Sequence, residues 1–222
     1  MTNTPKAEPF VHHHRRYDEW FERHGLAYVS ELLAVRALLP WEGRGLDIGV
    51  GTGRFAAPLG VKFGIDPAGE TLVYALARGV SVARAVAEAL PFAGSVFDYA
   101  LVVTTICFVD DARAMLLEIA RVLRPGGKLV IGLIDRESAL GKGYVAHRAE
   151  NVFYRSATFY SAAEVEVLLR ETGFSQLVWV QTLSTPFSEI HEIEPISAGS
   201  GRAAFLVVRA QRSGETAAGR DS

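Results

Sequence analysis

Apolar and polar positions near the start of the chain repeat with a helical period. Tyr17, Trp20, Phe21 and His24 recur at spacings of three and four and predict one amphipathic helix. Gly25 interrupts it, and a second periodic run with Tyr28, Leu32, Val35 and Leu39 on one face stops at Pro40. From Gly45 the pattern changes to short apolar runs separated by helical stretches. Gly45–Gly49, Phe63–Asp66, Val80–Val86, Phe97–Ile106 and Lys128–Asp135 are the strand candidates. Strands alternating with helices predict a parallel sheet covered on both faces. Asp110 or Asp111 can cap a helix whose buried face runs Met115, Leu116, Ile119, Ala120 and Leu123, with Pro125-Gly126-Gly127 ending it. Ser161 and Glu164 have capping-box spacing ahead of Val165, Leu168 and Leu169, with Gly173 as the stop. Two further runs, Leu177–Thr182 and Ala203–Val208, are joined without a helical pattern and predict an antiparallel pair.

These elements fit one α/β domain of 222 residues. Residues 1–40 read as a loose arm, with Pro5 and Pro9, followed by cap helices. Residues 41–210 form the core, 136–160 an insert after the fifth strand, and 211–222 a small, polar, disordered tail. The formal charge of −2 and the scattered Lys and Arg give no general attraction for phosphate backbones, so no nucleic-acid partner is expected. The longest apolar run, Tyr99–Val109, is too short to span a bilayer, and the polar start has no signal-peptide pattern. A cytoplasmic protein without membrane attachment is the expectation. Cys107 is the single cysteine, so neither an internal disulfide nor a thiolate zinc cluster can form, and it reads as a small core residue. His12, His13 and His14 are adjacent and cannot all face one ion from a regular helix. They read as a solvated arm, and no metal is expected.

The chemistry concentrates in Gly45-Leu46-Asp47-Ile48-Gly49-Val50-Gly51-Thr52-Gly53-Arg54-Phe55. Three glycines directly after an apolar strand let the backbone turn tightly and a ligand approach it closely. Asp66 closes the next strand at the spacing where an acidic residue meets a ribose, although Asp66-Pro67 also suits a plain helix start. A nicotinamide site spaces its glycines G-x-G-x-x-G to turn a helix N-terminus toward a pyrophosphate, whereas the spacing here is G-x-G-x-G. Asp47, just before the loop, would repel a pyrophosphate and attract an ammonium.

The segment Leu46-Asp47-Ile48-Gly49-Val50-Gly51-Thr52-Gly53 resembles the first motif of class I S-adenosylmethionine-dependent methyltransferases. Gly64-Ile65-Asp66-Pro67 resembles their ribose motif, and Ala87-Glu88-Ala89-Leu90-Pro91-Phe92 the adenine-side segment. Phe97-Asp98-Tyr99-Ala100 resembles the entry to the fourth strand, and Leu123-Arg124-Pro125-Gly126-Gly127-Lys128-Leu129 the turn into the fifth. The match is most similar to the type 11 branch and to small stand-alone bacterial enzymes. It implies a Rossmann-like α/β fold with a seven-stranded, mostly parallel sheet, an antiparallel final strand, helices on both faces and an N-terminal helical cap. It also implies S-adenosylmethionine as cofactor and S-adenosylhomocysteine as product. By resemblance, Gly49, Gly51 and Gly53 with Thr52 would run along the methionine portion, and Asp66 would bind the ribose diol. Pro67 would lie beside the adenine, with the backbone of Ala87, Glu88 and Ala89 on its edge. Thr104 would line the path to the methyl group, and Arg54 would pair with the methionine carboxylate. One departure stands out: the family often has Gly-Asp ahead of the adenine-side segment, where the Asp receives the adenine amino group, and here Ala85-Val86 stands there.

Methyl transfer from a sulfonium needs alignment and water exclusion more than a catalytic dyad. The acceptor, a small molecule given the absence of a basic patch, would bind over the carboxyl ends of the strands, between the N-terminal helices and segment 136–160. Tyr17, Trp20, Phe21, His24, Tyr144, His147 and Tyr154 are the candidates, and core packing of a lid is the competing reading for each aromatic. A protein that binds the cofactor without turnover and a nicotinamide-dependent oxidoreductase are the competing functions.

Overall fold

The computed structural model describes residues 6–214. Three helices lead, α1 (Glu8–His12), α2 (His14–Arg23) and α3 (Gly25–Leu38), and then strands and helices alternate. The order is β1 (Gly45–Ile48), α4 (Ala56–Leu59), β2 (Phe63–Asp66), α5 (Gly69–Ala77), β3 (Ser81–Arg84), β4 (Phe97–Val103), α6 (Ala112–Val122) and β5 (Leu123–Ile134). After these come α7 (Ala139–Ala146), α8 (Ala162–Glu171), β6 (Phe174–Thr182), β7 (Ser197–Ala198) and β8 (Phe205–Arg212). The sheet order is β3-β2-β1-β4-β5-β8-β6-β7. The first five strands pair in parallel, and β8 runs antiparallel between β5 and β6. The eighth strand, one more than expected, is the two-residue β7 at the edge, pairing antiparallel with β6.

The sheet separates two cores. One face packs Phe97, Met115, Ile119, Val165 and Leu169 beneath α6 and α8; the other packs Val35, Ala56, Leu72, Leu101 and Val207 beneath α3, α4 and α5. The anticipated caps are present: Asp111 accepts from the N–H of Ala114 at 2.9 Å, and Ser161 with Glu164 closes a capping box. Pro125-Gly126-Gly127 does not end a helix outside the sheet. It is a bulge inside β5, whose Leu123 already pairs with Phe97 before the register resumes at Tyr99 opposite Lys128.

Two expectations at the ends of the chain are corrected. Only residues 1–5 of the loose arm lie outside the described residues; from Glu8 the chain is helical and packs on the core, because Phe10 finds aromatic partners in Tyr17, Phe108 and Phe153. The three histidines sit at the α1–α2 junction. His12 and His13 are exposed, but His14 is half-buried over Tyr74. At the other end, Gln211 and Arg212 belong to β8, paired with Lys128 and Phe174, while residues 215–222 lie outside the described residues. No helix among the described residues is long and apolar enough to cross a membrane, and no group of three or more metal-ligating side chains forms among them.

Candidate functional site

The strand order reverses between β1 and β4, and a cleft opens over the carboxyl ends of β1, β2 and β4. The glycine loop is its floor. The N–H groups of Gly49 and Val50 bond to the carbonyl of Ile65, and the carboxylate of Asp66 accepts from the N–H of Gly51 at 2.9 Å and of Ala68 at 2.8 Å. Helix α5 starts after Ala68 without a side-chain cap, so Asp66 is not its N-cap. Gly49 and Gly51 differ in role. A Cβ at Gly49 would meet Thr105 at 2.3 Å, so its glycine permits packing, whereas a Cβ at Gly51 (φ 50°) would project to 3.4 Å from the Tyr17 ring. Burial, partly offset by the N–H bonds from Ala68 and Gly51, raises the Asp66 carboxyl to about 6.

Asp47 is 2% exposed, and its carboxyl has no hydrogen-bond partner among the described residues. It faces a small recess lined also by Tyr17, Thr52, Arg54 and Phe55. Burial and then the neighbouring Asp66 push it up to about 8. The guanidinium of Arg54 is tied to Asp18 at 2.8 Å and Glu22 at 2.7 Å, pinning α2 onto the loop. Pro67, Val86, Ala87 and Glu88 form the far wall of the cleft, and exposed Ala89 lies outside it. One carboxylate oxygen of Glu88 accepts from the N–H groups of Asp110 at 2.8 Å and Asp111 at 3.2 Å, ahead of α6.

Beyond the cleft lies a second cavity of about 290 Å³, and Phe10, Tyr17, Thr104 and Phe108 border both spaces. Thr104, directly after β4, has φ 51°, an unusual conformation for a β-branched residue, and its N–H donates to the Gly132 carbonyl at 2.8 Å. Tyr17 sits among Asp66, Asp47 and Glu31, and burial followed by these charges drives its hydroxyl far above the usual phenol range. It is a neutral hydrogen-bonding group there. Tyr17, Trp20, Phe21, His24, Tyr144 and Tyr154 all line this cavity. His147 does not: it borders an adjoining open depression with Ala139 and Gly143, its ring nitrogen 3.0 Å from the Gly143 carbonyl. The structure thus joins the cap helices to segment 136–160, with Asn151 and Phe153 completing that side.

Glu31 was missed by pattern reading. The expected face of α3 is buried at Val35 and Leu39 and packs on the core at Tyr28 and Leu32, but a second stripe beside it, Ala27, Glu31, Ala34 and Leu38, is buried as well. Glu31 is 3% exposed and lines the larger cavity. Burial raises its carboxyl to about 8. The available signal was an acid at an inward position of a small-residue stripe.

Residues 46–131 match the family model described as a methyltransferase domain. A crystal structure of an S-adenosylmethionine-dependent methyltransferase from Thermotoga maritima, described as a "possible histamine N-methyltransferase", is 47% identical. It covers 93% of this chain and 100% of its own, with a TM-score of 0.91. An uncharacterized protein of Methanocaldococcus jannaschii is 40% identical over 88% of this chain and 95% of its own length. An O-methyltransferase of Aspergillus sclerotiorum is 34% identical over 60% of this chain and 54% of its own length.

Proposed function

Since the chain belongs to the S-adenosylmethionine-dependent methyltransferases of class I fold, we propose that it transfers a methyl group from that cofactor to a small molecule held in the 290 Å³ cavity. The observation that carries this reading is the adjacency of two spaces, a glycine-floored cleft and an aromatic cavity, with Thr104 and Tyr17 on both. When bound, S-adenosylmethionine supplies a methyl group already activated by its sulfonium. The residues present fit it. Asp66 keeps unused lone pairs on both oxygens for a ribose diol, and the unpartnered carboxyl of Asp47 suits an ammonium. Pro67, Val86 and Ala87 offer an apolar wall to a flat base. Arg54, held by Asp18 and Glu22, supports the loop rather than reaching for a carboxylate.

The protein's contribution to the transfer is alignment and exclusion of water. Tyr17, Phe10, Phe108 and Thr104 border both spaces and would line the passage between them. A cavity of this size favours a metabolite over a macromolecule. The relatives divide over the accepting atom, since the Thermotoga maritima description names an amine and the fungal name an oxygen. Incubation with methyl-labelled cofactor and a metabolite extract, followed by mass spectrometry of labelled products, tests the reading. A labelled small-molecule product supports it, in line with the cavity's size. Tight binding of S-adenosylhomocysteine without cofactor consumption would indicate a binding protein, and preferential binding of NAD would overturn the cofactor assignment.

A further inference from the structure

Glu31 destabilises the fold where it stands. It occupies an inward stripe of α3 and is 3% exposed, and its carboxyl has neither hydrogen bond nor ion pair among the described residues. A buried carboxyl without a partner costs stability, and its neighbours do nothing to reduce that cost: Ser30, beside it, bonds instead to the Leu26 carbonyl and the Glu194 N–H. What Glu31 faces is the larger cavity. Ten of the seventeen residues lining that cavity are Phe, Tyr or Trp, and Ile134 is the one aliphatic side chain among them. Phe55 and Tyr144 line the cavity with it, and Trp20 stacks on His24 with ring centroids 4.8 Å apart. Once ionised, a single unpartnered carboxyl among aromatic faces attracts a cation by two additive effects, ring quadrupole and charge, and a bound ammonium in turn favours the ionised form. The cations of the protein itself stay at the rim. Arg16 and Arg23 are exposed, Arg16 lying over Phe153 and Arg23 bonding to the carbonyls of Glu19 and Arg16.

We infer that Glu31 is the acceptor-recognition residue, binding the protonated nitrogen of a small amine whose apolar body lies against the aromatic walls. This rests on the reading of the cavity as the acceptor site, and it assigns the substrate class within it. Asp47 would serve the ammonium of the cofactor and Glu31 that of the acceptor, with Tyr17 and Phe55 between the two spaces.

The test uses the full chain, with Glu31→Gln and Glu31→Leu, and two separate titrations. The first is S-adenosylhomocysteine alone. The second, with that compound present, uses 2-phenylethylamine and a series of small alkyl and arylalkyl amines, each paired with the alcohol and carboxylate of the same skeleton. Expected results are an amine bound at least tenfold more tightly than its alcohol, a loss of a hundredfold or more in Glu31→Gln, and S-adenosylhomocysteine affinity unchanged within about twofold. Glu31→Leu should raise the melting temperature, as removal of a functional but destabilising group does. The assignment is overturned if alcohols or carboxylates bind as well as amines, if no amine binds, or if Glu31→Gln keeps amine affinity. It is also overturned if Glu31→Gln loses S-adenosylhomocysteine instead, which would place Glu31 on the cofactor, or if Glu31→Leu lowers the melting temperature. Failure of wild type to bind S-adenosylhomocysteine in the first titration would sink the methyltransferase reading separately.

Discussion

The carboxylate of Asp66 accepts a hydrogen bond from the backbone N–H of Gly51 at 2.9 Å, joining the end of β2 to the middle of the glycine loop. One side chain therefore shapes the loop and faces the cleft it forms. Asp66→Ala should weaken S-adenosylhomocysteine binding by about ten-fold to a hundred-fold or more, from the loss of charged hydrogen bonds worth roughly 1.5 to 3 kcal/mol each. Asp66→Asn, which keeps one acceptor oxygen, should do less harm. Calorimetry well below the melting temperature checks both, and wild-type affinity in Asp66→Ala would refute the ribose assignment.

The same carboxyl gives binding a pH dependence. Burial holds it at about 6, above the 3.8 of a free aspartic acid, so in the folded protein it protonates near pH 6. A diol donates better to the ionised form, so affinity should fall as pH drops below 6. Stability moves the opposite way: a raised acid destabilises above its folded pKa, and the cost is relieved as pH falls from 6 toward 3.8. Titrations between pH 5 and 7 on wild type and Asp66→Asn separate this group, whose loss should flatten the profile in about that window.

At Gly51, φ of 50° and the nearby Tyr17 ring set the tolerance. Gly51→Ala should cost about 1 to 2 kcal/mol of stability from the left-handed backbone and lower cofactor affinity by more than tenfold as its methyl enters the cleft. A folded variant with unchanged affinity would reduce the loop to a turn.

Phe10 packs edge-on to Phe108, with ring centroids 4.9 Å apart, and its ring lies across the boundary of cleft and cavity. Phe10, on α1, thus borders the space that an entering cofactor would take. Phe10→Ala should speed both association and dissociation of S-adenosylhomocysteine by several-fold, measured by stopped flow. Unchanged rates would show that α1 is not in the way.

Asp18 bridges Arg54 and Arg78 at 2.8 and 2.9 Å. Burial alone would raise its carboxyl, but the hydrogen bonds from the two guanidinium groups outweigh it and hold it at about 2. A lowered acid stabilises above its unfolded pKa near 3.8, and that contribution disappears as pH falls from there toward 2. Asp18→Asn should lower the melting temperature at pH 7 and leave it nearly unchanged at pH 2, as acid denaturation profiles will read.

Local patterns were legible because they report on one element at a time. The alternation of strands and helices, the caps at Asp111 and Ser161, and the glycine loop each depend on residues within a few positions of one another. The aromatic acceptor candidates on α2 and after β5 were legible as apolar positions, but periodicity could not separate Tyr144, which lines the cavity, from His147, one turn further along the same segment, which does not.

The sequence by itself determined the α/β alternation, the order of the motifs and the family, since these are written in spacings along the chain. Tertiary structure decided what met what. It placed β8 between β5 and β6, spent the charge of Arg54 on Asp18, turned Glu88 toward α6, and set Glu31 against a wall of aromatic rings. The physical reason is that a carboxylate's role depends on which partners remain when the elements pack. Asp18 and Glu31 are both acids on neighbouring helices, and only packing gives one two arginines and leaves the other with none among the described residues.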